Sequence, residues 1–173
     1  MSAGDSGRRR TQNGQTVRRA EDAGTDIEVR LATAADEIAV LNLIEELFDP
    51  PGSRPPNYSR DRSSTGFRAA VEGADADILL AVRDDHAIGL ASVYADIQSI
   101  RYGKRCWLQD LIVSQEQRST GVGAALLAEA SDWARAHGCT HLELASGAGR
   151  KDAHRFYLRE GMSQSYNFQL WLG

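Results

Sequence analysis

From residue 27 onward the chain shows two hydrophobic rhythms. Ile27-Glu28-Val29-Arg30-Leu31 alternates apolar and polar residues, the period of a strand with one face buried. Thr33 or Asp36 then opens a stretch with apolar residues at Ile38, Leu41, Ile44, Leu47 and Phe48, the spacing of an amphipathic helix. Asp49-Pro50-Pro51-Gly52-Ser53-Arg54-Pro55-Pro56 ends it, because proline cannot continue a helix. A second, weaker helix is predicted over residues 67–72. Residues 78–83 and 88–96 predict two strands joined at Asp84-Asp85-His86. A turn near Tyr102-Gly103-Lys104 leads to a further strand over 107–113. Residues 121–137 form the clearest helix, with Val122, Leu126, Ala130, Trp133 and Ala134 on one face and Gly138 as its stop. A strand over 141–145 follows, then a helix capped by Asp152 that runs to Leu158 and ends at Gly161. Residues 165–172 close the chain as a strand. The order β-α-α-β-β-β-α-β-α-β, with no internal repeat, predicts a mixed sheet flanked by helices in one α/β domain.

Composition sets the limits of that domain. Residues 1–26 are rich in Gly, Ser, Thr, Arg, Asn and Gln with almost no large apolar side chain, and we expect a disordered polar tail there. Residues 27–173 are left for the folded domain. The net charge of −4 argues against a dedicated nucleic-acid binder, which carries a basic excess. No stretch approaches the ~18 apolar residues of a membrane span. The arginine clusters at 8–10 and 18–19 precede no apolar core, so neither reads as an export signal. The two cysteines, Cys106 and Cys139, lack metal-ligand spacing and read as reduced structural residues, which fits a cytoplasmic protein.

Chemistry concentrates at Gln117-Arg118-Ser119-Thr120-Gly121-Val122-Gly123-Ala124, a polar turn with two glycines between a strand and a helix. A helix start offers N–H groups without internal partners and a positive dipole end, and glycine keeps side chains out of a phosphate's way. A Walker-type loop would need Lys and then Ser or Thr after the glycine, but Ala124-Ala125 follow Gly123. A dinucleotide fingerprint would need a third glycine where Leu126 stands, and a tighter corner than residues 113–121 provide.

A third reading fits. Arg118-x-x-Gly121-x-Gly123 after Leu111-Ile112-Val113 resembles the acetyl-CoA signature of the GNAT superfamily of N-acetyltransferases. Ala153-His154-Arg155-Phe156-Tyr157-Leu158-Arg159-Glu160-Gly161-Met162 is similar to that family's closing helix-and-glycine motif. With the order of the preceding elements, the resemblance covers roughly residues 27–172.

The resemblance implies a GNAT-like fold in which two strands splay apart around the pantetheine arm of acetyl-CoA, here residues 107–113 and 141–146. Leu111, Ile112 and Val113 would bond the arm. The amides of Arg118, Ser119, Thr120, Gly121, Val122, Gly123 and Ala124 would hold the pyrophosphate, with the Arg118 charge assisting. Tyr157 matches the family's tyrosine near the thioester sulfur and would serve as general acid; a packed residue whose hydroxyl anchors the cofactor is the alternative. A phenol of pKa ~10 stays protonated at neutral pH and so keeps a proton to give. Asp110, which interrupts an apolar strand, is the first choice of base for the ammonium. Glu143, a water chain, or a loop-ordering role for Asp110 remain alternatives. Arg150 stands where many family members carry a cofactor-contacting asparagine, and it could reach a phosphate or the pantetheine instead. Lys151 and Arg155 are further phosphate candidates, whereas His154 reads as a helix-packing residue.

The activity so implied is transfer of acetyl from acetyl-CoA, as co-substrate, to a primary amine by direct attack, without a metal. A small-molecule acceptor is favoured over a protein amine, and Glu45, Glu46, Asp49 and the segment through Tyr58 would line its side. A homodimer is compatible with this reading. The rival is a non-catalytic acetyl-CoA-binding or regulatory module.

Overall fold

The structure is a computed structural model, and it describes residues 27–166 and Leu170. The predicted N-terminal tail and nearly all of the closing strand expected over 165–172 lie outside the described residues; Ser165 and Tyr166 belong to no regular element.

Five strands form one sheet in sequential order: β1 (Glu28–Leu31), β2 (Ala76–Arg83), β3 (His86–Ser99), β4 (Gly103–Val113) and β5 (His141–Glu143). The first four pair antiparallel, and β4 pairs with β5 in parallel. The helices are α1 (Glu37–Glu46), α2 (Arg60–Glu72), α3 (Val122–Ala136) and α4 (Lys151–Arg159). β2 is an apolar run rather than an alternating one because both of its faces are covered. Leu79 and Ala81 meet the α3 side, while Ile78 and Leu80 meet α1 and α2. Leu126, Ala130 and Trp133 supply the α3 side of one core, and Val40, Leu43 and Phe67 supply the other.

Two predicted elements need correction. The second helix begins at Arg60, not Phe67. Its first two turns are polar, so apolar periodicity does not reveal them. Instead they are held by Ser59, whose hydroxyl accepts from the Arg62 N–H at 3.3 Å, and by pairs reaching α1: Arg60 with Glu45 and Asn42, and Ser64 with Glu37. Asp152 does not cap α4; Arg150 holds the N-cap position, and the Asp152 carboxylate pairs with Arg155 inside the helix. Smaller shifts follow the same logic. The β2–β3 turn is the two residues Asp84 and Asp85, with φ of 49° and 60°, as a tight hairpin demands. A 3-10 turn over Ala34–Asp36 precedes α1, where the Asp36 carboxylate takes two bonds from Arg30 at 2.7 and 2.9 Å and one from the Thr33 N–H at 2.7 Å.

Two irregularities of the sheet shape the site. Ser92 opposes Asp110 and Val93 opposes Leu108, so Gln109 has no partner on β3 and forms a bulge in β4. On the other edge of β4, β5 pairs only through Arg105–His141, Cys106–Leu142 and Trp107–Glu143. Beyond Trp107, β4 runs six residues further to Val113, and no strand among the described residues lies beside it on that edge.

Candidate active site

β4 delivers its free edge toward the start of α3. After Val113 a 3-10 turn, Gln115–Gln117, leads to Arg118, and Ser119 and Gly121 both adopt left-handed backbone, with φ of 64° and 91°. The first bond of the new helix runs from the Ala125 N–H to the Gly121 carbonyl at 3.0 Å, so the N–H groups of Val122, Gly123 and Ala124 have no helical acceptor. The two glycines serve different ends. A Cβ at Gly121 would meet nothing within 4 Å, so its demand is the positive φ. At Gly123 a Cβ would lie 3.4 Å from Phe156, an ordinary van der Waals contact that shows how closely α4 approaches the first turn of α3. Arg118 extends back along the loop, and its Nε donates to the Val113 carbonyl at 3.2 Å.

Phe156 packs into the α3-side core, and the adjacent Tyr157 contacts its ring edge-on at 5.3 Å. Tyr157 is half-buried; burial pushes its phenol above the ordinary tyrosine range, and the Arg150 charge pulls the other way. Arg150 itself crosses between two loops. Its Nη2 donates to the Leu47 carbonyl at 2.7 Å, and a Cβ on Gly52 would fall 2.6 Å from that nitrogen. The β5–α4 connection therefore rests on the α1–α2 loop, and Arg150 ties the two sides together.

The opposite wall is built on the other face of β4. Asp110 is turned toward α1 and α2 by the Gln109 bulge and lines a cavity of about 150 Å³ with Ser92, Tyr94, Leu41, Ile44 and Phe67. The Ser92 hydroxyl donates to Asp110 Oδ2 at 2.7 Å and accepts from the Asp110 N–H at 3.0 Å. Burial pushes the Asp110 carboxyl up, and no cation among the described residues forms an ion pair with it. Tyr94 is raised as well, by burial and by the Asp110 charge.

The remaining candidates are placed elsewhere. Glu143 pairs with Arg105 at 3.1 Å and lies 3.5 Å from His141, so its charge is already answered. Glu45 accepts from Tyr58 and Arg60 and ties α1 to the α1–α2 loop and the start of α2. Arg155 is engaged with Asp152, and Lys151 is exposed. Cys106 is pushed up to about 12 by burial, beside Cys139, and remains a thiol at neutral pH. Ser92 and Tyr94 were not found from the sequence. The available signal was a serine inside a buried strand: among the described residues Ser92 is the one buried polar side chain.

Residues 38–162 match the model of the acetyltransferase (GNAT) family. The chain belongs to the GNAT family. It is therefore an acyltransferase of the N-acetyltransferase kind, as the two sequence motifs led us to expect. Among curated proteins it is 34% identical over 150 residues to an aminoalkylphosphonate N-acetyltransferase of Salmonella typhimurium, covering 87% of this chain and 94% of that one. It is also 51% identical over 59 residues to the uncharacterized N-acetyltransferase YhdJ of Bacillus subtilis, covering 34% of this chain and 42% of the relative. Among solved structures, the aminoglycoside N-acetyltransferase AAC(6')-Iy in complex with CoA superposes with a TM-score of 0.75. It has 16% identity and covers 87% of this chain and 97% of the other. That likeness confirms the GNAT fold, a mixed sheet in a single α/β domain. No helix among the described residues is long and apolar enough to cross a membrane.

Proposed function

We propose that the protein transfers the acetyl group of acetyl-CoA to a primary amine of a small molecule by direct attack of the amine on the thioester. The observation that carries this is the meeting of three features along β4: an edge unpaired among the described residues, a helix start behind Gly121, and the Asp110 carboxylate facing a cavity on the strand's far face. The edge has room for a ligand arm to take the hydrogen bonds of the missing strand. The site residues suit the co-substrate's chemistry, since free amides and Arg118 favour phosphate.

Each residue then has a task. Leu111, Ile112 and Val113 align the arm and offer an N–H to the thioester carbonyl, where negative charge develops. Residues 118–124 hold the pyrophosphate. Asp110 takes the proton that an alkylammonium must lose before it can attack, a task helped by a carboxyl raised above its usual range. Tyr157 stays protonated at neutral pH and gives its proton to the departing thiolate. Arg150 holds the acceptor-side loop against the Tyr157 side of the site.

The cavity at Asp110 has the room of about five waters at ~30 Å³ each, which suits a short amine in its protonated form. By its name, the Salmonella relative acts on aminoalkylphosphonates, which supports a small-molecule acceptor. The test is a panel of aminoalkylphosphonates, polyamines, amino acids and aminoglycosides, assayed by thiol release from acetyl-CoA. Turnover with a short amine is expected. Acetyl-CoA binding without turnover on any member would replace the enzyme by a binding module.

A further inference from the structure

Arg83 ends β2, and its guanidinium reaches the side chain of Gln117, the residue just before the loop that we read as the pyrophosphate site. Nη1 donates to Gln117 Oε1, whereas Nε and Nη2 are shielded from solvent and meet no partner among the described residues. The neighbouring Asp84 and Asp85 are exposed, and no carboxylate among the described residues forms an ion pair with Arg83. Arg83 as a whole is half-buried, but these two nitrogens are shielded from solvent, and a shielded charge is ordinarily answered by a carboxylate because leaving it unmatched is costly. Here that answer is missing beside a loop whose ligand would be polyanionic.

Gln117 links the two. Its side chain is tied to Arg83, while its carbonyl accepts from the Thr120 hydroxyl at 2.7 Å and its N–H donates to the Ser114 carbonyl at 2.9 Å. Between Gln117 and Gly121 sits Ser119, a non-glycine residue held at φ 64°, a conformation that persists only when its surroundings fix it. Two residues, Arg118 and Ser119, lie between Gln117 and Thr120, a span of at most ~11 Å of chain. That is comparable to the ~10 Å screening length at 0.1 M salt.

We propose that Arg83 is a positioning residue for coenzyme A. Through Gln117 it fixes the strained phosphate loop, and its uncompensated charge adds to the positive potential there. A carboxylate partner would supply the same anchoring but cancel that potential. The inference rests on the reading of residues 118–124 as the pyrophosphate site.

The experiment is calorimetric binding of CoA and of pantetheine, which has the same arm without phosphates, to the intact protein. Arg83→Met keeps the aliphatic stem and removes the charge; Arg83→Lys keeps the charge. With Met, CoA should bind about tenfold more weakly, a factor worth ~1.4 kcal/mol, and pantetheine should change less than about twofold. Lys should restore most of the loss, and the Met variant should lose the salt sensitivity that Arg83 contributes. Equal weakening of both ligands, or of neither, would overturn the proposal. Should neither Arg83 variant fold, Gln117→Leu cuts the tie without changing charge. Selective loss of CoA binding there supports the role, and unchanged binding refutes it. Failure of the unaltered protein to bind CoA would instead sink the pyrophosphate reading.

Discussion

The two walls of the site are built by different means. The wall from Val113 to Ala124 is a property of backbone: a strand edge, left-handed residues, and a helix start, all within about a dozen consecutive positions. The wall around Asp110 is a property of side chains gathered from α1, α2, β3 and β4, with a bulge to aim the carboxylate. On the proposed function, the backbone wall would meet what every acyl donor of one kind shares, namely amide-bearing arm and phosphates. A side-chain wall can be rebuilt residue by residue to suit another acceptor. The two are joined where Arg150 meets the Leu47 carbonyl.

Four changes test this division, in order of expected size. Gly121→Glu puts a Cβ at φ 91° and a negative charge at the α3 start, so acetyl-CoA binding should weaken more than about 100-fold by titration. Amine contacts should survive, seen as retained acceptor binding. Tyr157→Phe should cut kcat by about 100-fold while the Kd for acetyl-CoA stays put, the scale of a lost acid. A matching rise in Kd would move Tyr157 from chemistry to anchoring.

Asp110→Asn should lower kcat/KM by about tenfold or more without affecting CoA binding. Because burial raises the Asp110 carboxyl, the unaltered enzyme should lose activity as pH falls through a pKa above the usual carboxylate range. That acidic limb should vanish in the variant. The sign for stability is opposite. A raised folded-state pKa means that Asp110 contributes stability below its unfolded pKa and loses it as pH rises through the folded one. The Asn variant should therefore melt no lower than the parent at neutral pH. The smallest effect belongs to Arg60→Ala, an exposed pair with Glu45 worth at most about 1 kcal/mol by denaturant titration. A larger loss, or a large change in the KM for amine, would show that the α1–α2 link shapes the acceptor wall directly.

The same division explains what could be read in advance. Gly121 and Gly123 mark the backbone wall because a strand end, a left-handed turn and a helix start follow one another directly in sequence, and Phe156-Tyr157 form a second, separate short motif. Apolar periodicity likewise found α1, α3 and the core of every strand within the described residues. It missed residues 60–66 because those turns are held by polar links to α1 rather than by an apolar stripe. It placed the α4 cap at Asp152 because aspartate caps helices in general, whereas here Arg150 is pinned by a carbonyl 103 positions away. Ser92 is marked only as a serine inside an apolar strand, and its meeting with Asp110 depends on the β3–β4 register and the bulge in β4.

The bare edge of β4 has a further consequence. A row of backbone donors and acceptors left without a neighbouring strand is a template on which another chain can grow. On the proposed function, acetyl-CoA would cap that row as well as react beside it. Ligand bound only to the native state stabilises it by mass action, so donor supply would set both turnover and the persistence of the folded protein. Preparations stripped of coenzyme A should clump sooner on warming, and adding it back should delay the onset.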